Sequence, residues 1–404
     1  MERPRREGTT AARRVVIVVL ATTALWALVS GLFQPFLPLY IASLGGSATD
    51  VGLAGAVTGL AYLLAEGVWG LTFDRVGAAR PLAISRFVTA AVFVGYLART
   101  DLWWVYLLQF LRGVSEVAMA PIGRALLAKH VPREGRGTVM GMYFTTQTLA
   151  RSGTGIIGGG LVDTLGFRAL FAICAVSSLA SGLVAFFGLR HTVDVVLVDA
   201  PRTASDSRRA GLGREFVLLS ILAGFGFWAQ SGWTTFLPLY SATILHFSAS
   251  QIGLLSTIAG VVVLLLTVPG GRLADRLGRK PVLVAGLAIT SLPSIVVASG
   301  IAQSFLALAW LSAGMAVGNA IGNPARQALI ADVAPAGRQG LAMGMYGVAE
   351  DVGFLIGPLM GGLLWDRAGP PIAFASFALV YGVTIALVII LLRVPPQVRT
   401  TGAG

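Results

Sequence analysis

The sequence predicts an all-α integral membrane protein, with twelve transmembrane helices in two pseudo-symmetric halves of six. Three observations predict it. The 404-residue chain is 55% hydrophobic and only 12% charged, too apolar for an ordinary soluble domain. Its apolar segments recur at short intervals and are long enough to cross a bilayer, which takes about 20 residues. Finally, the second half of the chain repeats motifs of the first.

The elements follow in order. A basic leader, "MERPRREGTTAARR", precedes an apolar run from Val15 to Ile41. A signal peptide has a shorter apolar core and a small-residue cleavage site, so this run reads as a retained first span. The second and third spans, 52–73 and 81–98, flank the connection "GLTFDRVGAARP". The fourth, 103–128, opens on Trp103 and Trp104, placed as an interfacial aromatic belt. Spans five and six cover 138–162 and 168–189. A polar, basic stretch at 190–215 reads as a linker between an N-terminal half (1–189) and a C-terminal half (216–404). Spans seven to twelve then cover 216–241, 252–273, 281–299, 303–330, 340–364 and 371–393.

Charge sets the orientation. Arg3, Arg5, Arg6, Arg13, Arg14, Arg75, Arg80, Lys129, Arg133, Arg136 and the linker arginines fall on one side. So do Arg272, Arg276, Arg279, Lys280, Arg338, Arg393 and Arg399, whereas the opposite side holds only Arg99, Arg168 and Arg367. Both termini are therefore expected in the cytoplasm. The formal charge of +12 does not indicate nucleic acid, because the basic residues lie in short pieces between apolar spans rather than on one face. The single cysteine, Cys174, lies within an apolar run and reads as a small buried hydrophobe.

The repeats are specific. "FLPLY" occurs at 36–40 and 236–240. "GRALLAKHVPREGRGTVMGMY" (123–143) aligns with "ARQALIADVAPAGRQGLAMGMY" (325–346), and "GGGLVDTLG" (158–166) with "GGLLWDRAG" (361–369). An even number of spans separates the copies, so the halves face the same way about an axis along the membrane normal.

A charged motif recurs between spans two and three and between spans eight and nine. Gly271, Asp275, Arg276, Gly278, Arg279 and Lys280 form one copy; Gly70, Asp74, Arg75, Gly77 and Arg80 form a less regular one. Together with the twelve-span repeat, this pattern resembles the major facilitator superfamily, and the resemblance covers nearly the whole chain. The aspartate can accept from a neighbouring helix's free N-terminal amides, and glycine lets two helices approach closely. The resemblance implies a latch that stabilises the outward-facing state, with Arg124 and Arg326 as candidate partners. Arg112 resembles the mid-span arginine of the family's fourth-helix motif, although Glu116 stands where a glycine is usual. Gly353, Gly357, Pro358, Gly361 and Gly362 resemble the antiporter Gly-Pro motif. They lie in span eleven, however, while span five carries Thr154-Gly155. The likeness is thus to the drug/proton antiporter-like branch.

Charges at the bilayer centre cost about 2.5–3.5 kcal/mol each, so they need a partner or a purpose. Arg112 and Glu116 are four apart on span four and can pair, either structurally or for coupling. Arg151 falls mid-way along span five as a further charge partner, Glu350 and Asp351 mid-way along span eleven, and Glu66 on span two. Arg86, near an inner end, reads as snorkelling. The proton-coupling candidates are Glu116 first, then Asp351 and Glu66, then Glu350. In this fold spans one, four, seven and ten line the cavity. Their candidates are Phe33, Gln34, Trp228, Gln230, Trp233, Asn319 and Asn323. Pro35, Pro38 and Pro238 are expected to bend spans one and seven.

The expected function is secondary transport by alternating access, with proton-coupled export of a small, partly apolar compound favoured. A metabolite or sugar-like porter is the alternative, and a receptor or assembly factor on the same fold the different-class rival. His130, His191 and His246 lie in connections, with no nucleophile or metal constellation, so an enzyme is not expected. The expected partners are a small-molecule substrate, protons and the lipid bilayer, with no nucleic acid and no cofactor, for a monomer in the plasma or inner membrane.

Overall fold

The structure, a computed structural model, describes residues 3–77, 79–131, 135–190, 213–334 and 339–392. Within them, the side chains of 3–11, 67, 70, 71, 73–76, 79, 120, 121, 128 and 339–341 lie outside the described residues.

Helix α1 (Arg3–Phe33) continues through one 3-10 turn, Gln34–Phe36, into α2 (Leu37–Ser43). Pro35 and Pro38 lack the N–H groups that the α-ladder would need here, so the first crossing is broken at its prolines. Helices α3 (Ala48–Val76) and α4 (Ala79–Ala98) are crossings two and three. The fourth crossing is divided between α5 (Leu102–Glu116) and α6 (Met119–His130). Helix α7 (Arg136–Ser152) and the first part of α8 (Thr154–Leu189) make the fifth, and the rest of α8 the sixth. The chain reverses at Gly166, whose φ of 76° suits glycine. Gly369, at the equivalent place in the second half, has φ 86°.

The second half runs α9 (Arg214–Thr243), α10 (Ala249–Leu277), α11 (Arg279–Ala298), α12 (Phe305–Val333), α13 (Gln339–Ala368) and α14 (Pro370–Leu391), one crossing each. Pro238 lies inside α9 without interrupting it. Among the described residues, ten helical stretches are long and apolar enough to span a membrane. One of them, Arg136–Leu189, holds two crossings, and the divided fourth crossing is not among the ten. The twelve-helix architecture follows.

The halves meet where α3 packs on α13 and where α7 and α8 pack on α10. The buried core is uneven along the membrane normal. At the end remote from Arg13, Arg14, Arg272 and Arg276, one cluster runs through both halves, joining Phe33, Phe36 and Tyr40 to Trp233, Phe236 and Phe374. At the other end, the basic end, it splits in two. Val19, Leu82, Leu126 and Tyr143 pack in the first half, and Leu219, Val282, Leu329 and Tyr346 in the second.

Candidate functional site

The buried charges on α5 form a closed network. Arg112 and Glu116 share one helix face, and Arg112 Nη1 donates to Glu116 Oε2 at 2.5 Å. Arg112 Nε donates to Gln109 Oε1 at 2.7 Å, and Tyr96 Oη donates to the same oxygen at 3.2 Å. The guanidinium lies 5.1 Å from the Phe33 ring. Tyr62 of α3 donates to Glu116 Oε2 at 3.2 Å, while Glu116 Oε1 is buried without a hydrogen-bond partner among the described residues. Both charges are buried, and pairing offsets the several kcal/mol that each would cost alone. Arg86 does not snorkel. It is buried and donates to Ser115 O at 3.0 Å, because α5 ends there and leaves carbonyls unpaired.

Arg151 sits in the last turn of α7. It is open to solvent, donates to Ser30 Oγ at 2.6 Å and lies 5.8 Å from the Trp26 ring. Ser30 donates to Gln34 Oε1 at 3.5 Å. Across the molecule, Arg326 of α12 donates to Asn323 Oδ1 at 3.0 Å, stands 3.8 Å from Glu350 Oε1 and lies 4.6 Å from the Phe227 ring. Trp228, Gln230 and Asn319 are half-buried. Phe33 and Trp233, expected in the cavity, are instead buried in aromatic clusters. Phe33 packs on Phe93 within the first half, and Trp233 packs on Phe374 within the second.

Glu66, Glu350 and Asp351 approach one another where α3 meets α13. Gly347 permits this: a Cβ there would stand 3.2 Å from Glu66 Oε2. The charge of Glu66 acts on both Glu350 and Asp351, and that of Arg124 on Glu66 and Glu350. Tyr62 packs on Phe354 beside them at 5.8 Å.

The two ends of the molecule differ. At the basic end Asp275 and Arg276 are exposed, and neither makes a hydrogen bond or ion pair among the described residues. Arg326 is engaged with Glu350 rather than with Asp275. Arg279 pairs with Asp332 and donates to Ala328 O, and Lys280 donates to Ile389 O and Leu392 O; all these contacts lie within the second half. The side chains of Gly70, Asp74 and Arg75 lie outside the described residues.

The far end is fastened by two aspartates. Asp163 accepts from Ala249 N at 2.9 Å and Ser250 N at 2.8 Å, across the halves. Asp366 accepts from Ala48 N at 3.2 Å and Thr49 N at 2.7 Å, across the halves in the other sense. Each caps the first turn of the opposite helix, where amides lack intrahelical partners. Four residues earlier on each helix stands a glycine. A Cβ on Gly159 would come within 2.3 Å of Ala249 O, and one on Gly362 within 2.5 Å of Ala48 O. Sequence reasoning missed both aspartates, although "GGGLVDTLG" and "GGLLWDRAG" carry them at matching positions. It also missed Tyr62, Gln109, Trp26 and Asp332, for which the sequence offers no comparable signal.

The sequence pattern of the Major Facilitator Superfamily matches residues 19–248 and again 219–404. The chain belongs to that superfamily. An uncharacterised transporter of the superfamily from Methanocaldococcus jannaschii is 21% identical over 383 residues, 92% of this chain and 96% of its own. The multidrug resistance protein MdtG of Yersinia enterocolitica is 26% identical over 361 residues, 86% of each chain. A homolog of the multi-drug resistance efflux pump PmrA from Lactococcus lactis is 24% identical over 341 residues, 82% of this chain and 83% of its own. The fold matches the nucleoside transporter NupG, with a TM-score of 0.75 at 13% identity over 94% of this chain and 100% of that one. It also matches an inward-facing bacterial homolog of the lysosomal transporter Spinster, with a TM-score of 0.74 at 15% identity over 94% and 95%. The superfamily chain is thus a multi-pass membrane transporter, not an enzyme.

Proposed function

We propose that this protein exports small, partly apolar compounds by alternating access, driven by protons. The carrying observation is the contrast between its ends. One is sealed by a continuous core and two reciprocal aspartate caps, while at the other the core is split and Asp275 makes no hydrogen bond or ion pair among the described residues. With the basic end in the cytoplasm, this is an inward-open state. A porter needs a second state in which the seal moves to the other end. The means are present in the chain: Gly70-x-x-x-Asp74 and Gly271-x-x-x-Asp275 have the spacing of Gly159-x-x-x-Asp163 and Gly362-x-x-x-Asp366. Closure of the cytoplasmic end would cap the starts of α13 and α7 as the far end now caps α3 and α10.

Glu116 is the proposed coupling site. It is a buried carboxylate paired with Arg112. Tyr62 ties Glu116 to α3, which packs on α13 across the halves. Rocking of the halves therefore alters the surroundings of the carboxylate. The multidrug relatives support export, and the half-buried Trp228 supports a partly apolar cargo. The deciding experiment is transport by purified protein in liposomes, with an imposed pH gradient and a panel of lipophilic compounds. Compound movement indifferent to the gradient would remove proton coupling.

A further inference from the structure

We infer that the first-half wall of the cavity holds an organic-anion site, with the Arg151 guanidinium as counter-charge. The inference rests on the transporter reading and narrows its substrate class. Four arginines lie deep in the molecule: Arg86 is buried and spent on the Ser115 carbonyl, and two others are compensated by carboxylates. Arg112 is buried against Glu116, and Arg326 is buried beside Glu350 and Asn323. Arg151 has no carboxylate within ion-pair distance among the described residues; its hydrogen-bond partner there is the neutral Ser30 hydroxyl.

Its placement makes this unusual. Arg151 lies mid-way along the fifth crossing and is nevertheless exposed. A charge at such depth needs a partner or a purpose. Its last-turn position on α7 complements that helix's dipole but supplies no counter-charge. Glu116 cannot neutralise it, because Arg112 already does so for Glu116. Arg151 is therefore left without a compensating carboxylate among the described residues. A guanidinium has five N–H donors in a planar fork, suited to a carboxylate, phosphonate or sulfonate, and most of them here remain free for a ligand.

The neighbours have matching chemistry. The Trp26 indole presents its ring to the guanidinium, and its Nε1 is a buried donor with no acceptor among the described residues. Donors without acceptors recognise an acceptor-rich group, here a monoanionic head. The Trp26 ring offers an apolar face for the body attached to it.

Purified protein in a non-ionic detergent would be titrated with naphthalene-1-carboxylate and with its uncharged isostere, 1-naphthamide, by calorimetry. The carboxylate is expected to bind at least tenfold more tightly, Arg151→Gln to abolish the preference, and Arg151→Lys to retain part of it. Unchanged thermal melting of both variants excludes misfolding. Trp26→Phe, which keeps the ring but removes the N–H, should weaken the carboxylate several-fold and leave the amide unaffected. Equal binding of the two probes to the wild type, no binding of either, or a preference that survives Arg151→Gln would overturn the inference. The transporter reading is judged separately, by counterflow of 1-naphthamide in proteoliposomes, which Arg151→Gln should not affect.

Discussion

Replacing Asp163 and Asp366 together by alanine should open the end of the molecule that is sealed in this structure. Each carboxylate accepts two backbone N–H bonds from the opposite half. A hydrogen bond to a charged group contributes about 1.5–3 kcal/mol net, and water takes over part of this when the halves separate at an exposed edge. The cap also complements a helix dipole, worth about 0.3–1 kcal/mol. A conservative total is about 2 kcal/mol per aspartate, or roughly a thirtyfold shift in the ratio of the two states. The sites lie on different helices and share no partner, so their effects should add, to roughly a thousandfold for the double variant.

The assay is a distance measurement between spin labels. Asp101 and Ile301 are exposed positions in the two halves at the sealed end, and Thr138 and Leu277 are exposed at the basic end. Cys174 is buried, so the native thiol adds little background. The double variant should widen the 101–301 distribution and narrow the 138–277 distribution. Single variants should give intermediate populations, with asparagine milder than alanine because it keeps one acceptor oxygen. If the double variant leaves both distributions as in the wild type, the caps merely finish helix ends and carry no gating energy.

Three other outcomes are expected. Glu116→Gln should abolish pH-gradient-driven accumulation while leaving exchange of substrate measurable; accumulation at the wild-type rate would make the pair with Arg112 purely structural. In intact cells an impermeant thiol reagent should label cysteines placed at Ser47 and Gln303 but not at Arg276, and external labelling at Arg276 would invert the assigned orientation. Lys280→Ala removes a cation bonded to the last carbonyls of α14 and should cost about 1 kcal/mol, seen as a lower melting temperature with no change in the distance distributions.

The sequence made the architecture legible because a bilayer imposes a length on every crossing and a price on every charge within it. The spans and the pairing of Arg112 with Glu116 follow from those two rules, and the two halves from the repeated motifs. Which face of a crossing points inward is not so encoded. These helices are apolar nearly all round, so neither Phe33 nor Trp233 could be assigned to cavity or core from periodicity, and both turned out to be core. Arg86 was misread for a related reason. Its depth suggested snorkelling, but the deciding fact is where α5 ends and frees the carbonyl of Ser115. The capping aspartates escaped because they stand at span ends, where a carboxylate costs little and attracts no notice.

Placed together, the four Gly-x-x-x-Asp segments suggest why the chain retains them. A helix needs its first amides capped in either state, and a cap supplied by the other half exists only when the halves are in contact. Under the proposed cycle the same atoms would therefore serve as helix terminus and as gate. Asp163 and Asp366 engage at the far end, while Asp275 makes no hydrogen bond or ion pair among the described residues; under the proposed cycle the two pairs would act as opposing weights on one equilibrium. It follows that Asp275→Asn, harmless to contacts in the present state, should counteract the alanine variants. Added to Asp163→Ala and Asp366→Ala, it weakens the competing closure and should return the 101–301 distances toward the wild type. A triple variant no different from the double would mean that Asp275 contributes nothing to closure at the basic end, and that the opposing seal depends on other residues.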